Sequence, residues 1–93
     1  MHGNEPYHIE YLATVVASDI PDLPRSVRSL IKKAIEERLM VDPVGFGKPL
    51  RYSLKGHRRL RVADYRVVYR IDKSKKSVLI IAIKHRKDIY EEF

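Results

Sequence analysis

No cysteine occurs anywhere in the chain, and that absence removes three kinds of chemistry at once: a disulfide framework, a Cys-ligated zinc and a thiol nucleophile. It also suits a reducing compartment. No apolar run approaches the roughly 20 residues that a membrane-spanning helix requires. The opening Met1-His2-Gly3-Asn4-Glu5-Pro6 lacks the basic-then-apolar order of a secretory leader. A cytoplasmic protein with no membrane partner is therefore expected. Repeats, low-complexity tracts and a dividing linker are missing too, so one domain over residues 1–93 is expected. The acids sit mainly at Glu36-Glu37, Asp42, Asp64, Asp72, Asp88 and Glu91-Glu92, scattered over turns and helix surface, and do not cluster as a Mg²⁺ site would need. No two histidines stand at the i, i+4 spacing of a helical zinc site. The expectation is no metal and no cofactor.

Positive charge, by contrast, is plentiful. Nineteen Lys and Arg against twelve Asp and Glu leave a formal net charge of +7, which favours a polyanionic partner, with nucleic acid ahead of membrane. The chain is 44% hydrophobic, enough for a modest core without covalent staples.

Tyr7-His8-Ile9-Glu10-Tyr11 alternates and predicts a first strand. Leu12–Ile20 is ambiguous: Ala13, Val16, Ala17 and Ile20 fit a helix face, whereas Thr14, Val15 and Val16 are poor helix formers. From Pro24 to Leu39, Val27, Leu30, Ile31, Ala34, Ile35 and Leu39 form one stripe. Arg28, Lys32, Lys33, Glu36 and Glu37 form the other, which predicts an amphipathic helix. Pro43, Gly45, Gly47 and Pro49 predict a loop of about ten residues. Ser77–Ile83 is an uninterrupted apolar run that suits a strand buried on both faces. Lys73–Lys76 is a solvated turn before it, and Lys84–Phe93 a polar tail. The expected fold is α+β: an N-terminal strand and one or two helices packed on one face of a small, mainly antiparallel sheet.

The segment His57–Arg70, H-R-R-L-R-V-A-D-Y-R-V-V-Y-R, is the most informative. With Ala63-Asp64 as a two-residue turn, Val62 pairs with Tyr65, Arg61 with Arg66, Leu60 with Val67 and His57 with Arg70. Side chains alternate across a sheet. One face then carries Leu60, Val62, Val67 and Tyr69, and the other His57, Arg59, Arg61, Arg66 and Arg70. Like charges facing each other across strands destabilise a sheet, so a chain built this way is expected to place an anion there. Removing either Arg61 or Arg66 is expected to leave the fold as stable or more so.

RNA carries its own nucleophile in the ribose 2′-OH. Cleavage without metal needs a base, cations to stabilise the pentacovalent phosphate, and an acid for the leaving 5′-oxygen. Arginine suits the second task and, being always charged, not the first. Candidates for proton transfer are His57 and His85, whose ordinary pKa lies near neutrality, with Tyr90 as a hydroxyl or stacking group.

Three stretches also form a pattern: Gly47-Lys48-Pro49-Leu50, then Ser53-Leu54-Lys55-Gly56, then Leu60–Asp72. With the closing His85-Arg86-Lys87-Asp88-Ile89-Tyr90, they resemble the RelE/ParE superfamily of toxins from toxin–antitoxin pairs. The resemblance implies a microbial-RNase-like RelE fold. For RelE-like members it implies metal-independent mRNA cleavage in the ribosome by 2′-OH attack, with the ribosome, mRNA and a cognate antitoxin as partners. The family's catalytic set falls on Arg61, Arg66, Arg86 and Tyr90, with His85 placed as in members that carry a histidine beside the tyrosine. Lys55, His57, Arg59, Arg70 and Lys84 are the expected RNA contacts. Where the best-described RelE pattern has strand lysines, this chain has Arg59 and Arg61. ParE-like members share the fold and inhibit DNA gyrase instead, which stays open as an alternative, as does a non-enzymatic nucleic-acid-binding domain.

Overall fold

The computed structural model describes residues 5–51 and 56–88. Five strands form one sheet: β1 (His8–Tyr11), β2 (Lys48–Pro49), β3 (Arg58–Val62), β4 (Tyr65–Asp72) and β5 (Ser77–His85). Their order across the sheet is β1-β5-β4-β3-β2. All neighbours are antiparallel except β1, which runs parallel to β5 from His8 opposite Ser77 to Tyr11 opposite Ile80. The sheet is thus the expected mixed, mainly antiparallel one, with helices on one face.

The segment Val15–Asp19, ambiguous in sequence, is a single wide π-helical turn closed by the Ile20 amide on the Val15 carbonyl at 2.9 Å. Helix α1 covers Arg25–Ala34 and then widens into a second π-helical turn over Ile35–Leu39, closed by Met40 N–H on the Ile35 carbonyl at 3.0 Å. The predicted helix over Pro24–Leu39 is therefore present, in two geometries. Ala34, Ile35 and Leu39, all on the predicted apolar stripe, reach the core. The stretch expected to be a loop is more ordered than its Pro and Gly content suggests. Pro43–Phe46 is a short helix, α2, and Lys48–Pro49 adds the outer strand. Proline suits the first helical position, and Asp42 caps the turn by accepting from Gly45 N–H at 3.0 Å.

The main core lies between the helices and the sheet. Val15, Ile31, Ile35, Leu39, Leu60, Val67, Tyr69, Val78, Ile80 and Ile83 are all buried there. A second, smaller cluster forms on the opposite face from Val68, Ala82, Leu50 and Ile81. It exists because of a β-bulge. Val68 pairs with Ala82, but the next residue, Tyr69, pairs with Ile80, leaving Ile81 as the extra residue on β5. Ile81 and Ala82 consequently face the same way, and the phase of β5 is reversed beyond them.

A cationic cleft on the open face of the sheet

The two-residue turn at Ala63-Asp64 sets the register of β3 and β4: Val62 with Tyr65, Arg61 with Arg66, Leu60 with Val67 and Arg59 with Val68. Ala63 adopts a left-handed φ of 53°, an unfavourable region for a residue with a Cβ. Arg66 Nη1 reaches back to this turn and donates to the carbonyls of Ala63 at 3.3 Å and Tyr65 at 3.0 Å. Only 9% of Arg66 is exposed. Like-charge repulsion therefore does not by itself set the cost of losing Arg66, contrary to the expectation from sequence. Arg66 is a buried group with carbonyl acceptors, and removing it costs hydrogen bonds as well as relieving repulsion. Arg61 opposite it is exposed, and there like-charge repulsion remains the expected effect.

Arg59, Arg61 and Arg66 line one cleft of about 270 Å³ together with Lys48 from β2 and Phe46 from α2. Four cations around one concavity, with no carboxylate among the described residues of its lining, make a site for a phosphate or a polyphosphate chain. Lys84 stands next to Arg66 in the sheet register. Its ammonium is held at 2.9 Å by Asp19, whose other carboxylate oxygen accepts from Ile83 N–H at 2.9 Å. Asp19 is only 7% exposed. It occupies the flank of β5 past the end of β1 and so anchors the strand that carries Lys84.

The other sequence candidates fall elsewhere. Arg70 shares a strand face with Arg66 but lies four residues further on, about 13 Å away at strand rise. The apolar cluster of Val68 and Ala82 stands between them, and Arg70 lines a separate groove with Glu10, Asp72 and Lys75. The expected unbroken cationic face is therefore divided, because Val68 occupies the middle position on β4. His57 is half-buried at the start of β3, where its carbonyl accepts from Leu50 N–H at 2.9 Å. His85 is opposite Tyr65 in the register, and its ring meets the tyrosine edge-on with centroids 5.2 Å apart. Both share the helix-covered face with Val67 and Ile83, so the bulge at Ile81 turns His85 away from the arginines and Lys84 toward them. The backbone of Arg86 bonds to the Asp64 carbonyl at 2.7 Å, which brings its exposed side chain to the hairpin turn at the end of the sheet. Lys55 and Tyr90 lie outside the described residues. Among the described residues no three of His, Asp and Glu converge as ligands for a metal ion, and no helix is long and apolar enough to cross a membrane.

Sequence reasoning passed over three residues that matter here. Phe46 and Lys48 line the cleft from a stretch read as a loop. Arg58 sits on the core side of β3, opposite Tyr69. It donates from Nη2 to the carbonyls of Val44 at 2.7 Å and Gly47 at 2.9 Å, which fixes α2 against the sheet. A signal for Arg58 was available: it is a charged residue in phase with Leu60 and Val62, where an apolar one belongs.

Comparison with known proteins agrees with this architecture. Residues 12–90 match the family model described as the ParE toxin of the type II toxin–antitoxin system parDE. Toxin RelE of Mycobacterium tuberculosis is 38% identical over 90 residues, which span 97% of this chain and 92% of that protein. Toxin RelG of the same organism is 34% identical, over 91% of this chain and 97% of its own length. Among solved structures, the toxin–antitoxin complex RelBE2 of M. tuberculosis superposes with a TM-score of 0.80 at 32% identity, covering 88% of this chain and 93% of that one. The isolated E. coli RelE toxin shares the fold at a TM-score of 0.70 and 22% identity, over 85% and 83% of the two chains.

Proposed function

This chain belongs to the RelE/ParE superfamily of toxins from type II toxin–antitoxin systems, and on that footing we propose that it inhibits translation by cutting mRNA on the ribosome without a metal. The observation that carries this reading is the cleft itself, in which Arg59, Arg61, Arg66 and Lys48 surround a space with no carboxylate among the described residues of its lining. The scissile phosphate sits among these cations. The ribose 2′-oxygen attacks the phosphorus, the bond to the 5′-oxygen breaks, and a 2′,3′-cyclic phosphate and a 5′-hydroxyl result. Arg61 and Arg66 hold the charge that builds on the phosphate oxygens, an effect worth orders of magnitude in rate when the donors are fixed beforehand. Arg66 is fixed by its two turn carbonyls. The described lining of the cleft holds no histidine, and His85 faces the other way. Charge and positioning, with the message held by the ribosome, supply most of the acceleration. Arg86, exposed beside the hairpin turn at the end of the sheet, joins the set, and Tyr90 is assigned the role of hydroxyl or stacking group.

Several structural relatives are toxin–antitoxin complexes. A cognate antitoxin holds this chain in the same way, and an acidic segment meeting the cleft would neutralise Arg59, Arg61 and Arg66.

Adding the purified protein to a translation extract and mapping message ends by primer extension tests the reading. Cleavage within translated codons, lost with Arg61→Ala, is expected. Intact message under continuing translation overturns it. The ParE family match favours a second reading, inhibition of DNA gyrase, and a supercoiling assay run in parallel decides between the two.

A further inference from the structure

The backbone on either side of Phe46 is fixed to an unusual degree, while its own ring is left half in solvent. The Tyr69 hydroxyl donates to the Pro43 carbonyl at 2.5 Å, Arg58 holds the carbonyls of Val44 and Gly47, and Asp42 accepts from Gly45 N–H. The Phe46 amide itself closes on the Asp42 carbonyl at 3.1 Å. Yet Phe46 is 51% exposed. Val41, just before α2, and Val44 within it are also exposed, but of the three only Phe46 lines the cleft beside Lys48, Arg59, Arg61 and Arg66. A site for phosphate alone gains nothing from a rigid aromatic wall. A nucleotide offers two surfaces, a phosphate for the cations and a base with an apolar face for a ring.

We infer that Phe46 is a base-stacking platform, which makes the preferred ligand single-stranded RNA with an unstacked base beside the phosphate held by the arginines. The inference rests on the RNA reading above. Stacking tolerates every base and is strongest for the larger ones, so purines are favoured over pyrimidines at this position. Because α2 is already ordered, little entropy is lost when the base docks.

The chain contains no tryptophan, so Phe46→Trp introduces a lone indole reporter into the cleft. Short single-stranded RNA, purine-rich or pyrimidine-rich, and inorganic tripolyphosphate are titrated against the purified protein and its variants. RNA is expected to quench the indole, with purine-rich sequence binding more tightly, and tripolyphosphate to bind without that quenching. Phe46→Ala should weaken RNA binding about ten- to a hundred-fold and leave tripolyphosphate affinity and the melting temperature unchanged. Phe46→Tyr should restore RNA affinity. RNA binding that is equally tight in Phe46→Ala overturns the inference while leaving the RNA reading intact. Failure of the wild-type chain to bind RNA at all also overturns the inference, while cleavage on the ribosome is decided separately by the translation-extract assay. If Phe46→Ala weakened only the complex with an antitoxin, the ring would be a protein contact and the inference would fall.

Discussion

The hydroxyl of Tyr69 fills the space that a side chain at Gly47 would need: a Cβ there would lie 1.7 Å from the phenolic oxygen and 2.9 Å from the Arg59 carbonyl oxygen. Gly47 has an ordinary φ of −98°, so close approach, rather than backbone freedom, requires the glycine. This contact joins α2 to the centre of the sheet and holds one wall of the cleft in place.

Gly47→Ala should therefore destabilise the protein by about 1–3 kcal/mol or more, as overpacking does against atoms that cannot move away. Tyr69→Phe removes one clashing atom but strands the Pro43 carbonyl, at about 1–3 kcal/mol. The double variant should be more stable than the sum of the two single losses predicts, as read from denaturant midpoints in a double-mutant cycle. Strict additivity would show that the two residues do not share this space.

Tyr69 also predicts an alkaline limit. Burial raises its pKa above the usual 10.0, with the Arg58 hydrogen bond opposing the shift in part. The folded state keeps the phenol proton more tightly than the unfolded one. Its contribution is complete below the unfolded pKa of about 10 and is lost as pH rises through the higher folded value. Chemical denaturation at about pH 8 and about pH 11 should show a smaller loss of stability in Tyr69→Phe than in the parent. Equal losses would mean that other groups set the alkaline limit.

Arg61 and Arg66, paired across the hairpin, should separate in stability while agreeing in activity. Arg61→Ala removes an exposed charge facing a like charge and should change stability by no more than about 0.5 kcal/mol, in either direction. Arg66→Ala takes away the donor to two turn carbonyls beside the left-handed Ala63 and should cost about 1–3 kcal/mol. Both should lower message cleavage by about a hundred-fold or more. Retention of cleavage by either would remove it from the proposed transition-state set.

Asp19 offers a test at the far side of the sheet. Asp19→Ala leaves the Ile83 amide without its acceptor and Lys84 without its ion pair, and about 2–3 kcal/mol of stability should go. Asp19→Asn keeps an acceptor for Ile83 and should cost less. Amide exchange at Ile83 would report the difference directly, since only the alanine variant releases that proton.

The hairpin was legible in sequence because three signals agreed: alternation on both strands, a short polar turn, and Leu60, Val62, Val67 and Tyr69 gathered on one face. Its register followed to the residue. The same reading could not assign His85. From Val78 to Ile83 every residue is apolar, and a run with no polar markers cannot reveal where its phase changes. The bulge at Ile81 is silent in such a pattern, yet it decides that Lys84 rather than His85 shares the face of Arg66. Phe46 and Lys48 were hidden for another reason. Proline and glycine are ordinarily evidence of a loop. Here they serve as a helix start at Pro43 and a close contact at Gly47, and both roles depend on residues distant in sequence, Tyr69 and Arg58.

The parallel pairing of β1 with β5 has a consequence for synthesis. The first strand to leave the ribosome is partnered only by the last, and the Asp19 carboxylate waits for an amide that belongs to Ile83. A chain still being translated can close its hairpin but leaves β1 as an open edge, with half of the core uncovered, until the final strand emerges. Such long-range pairing is slow and leaves nascent chains exposed to other strands and to proteases. The interval between making this protein and finishing its fold is then a period in which it can be captured or destroyed before its cationic cleft is firmly assembled.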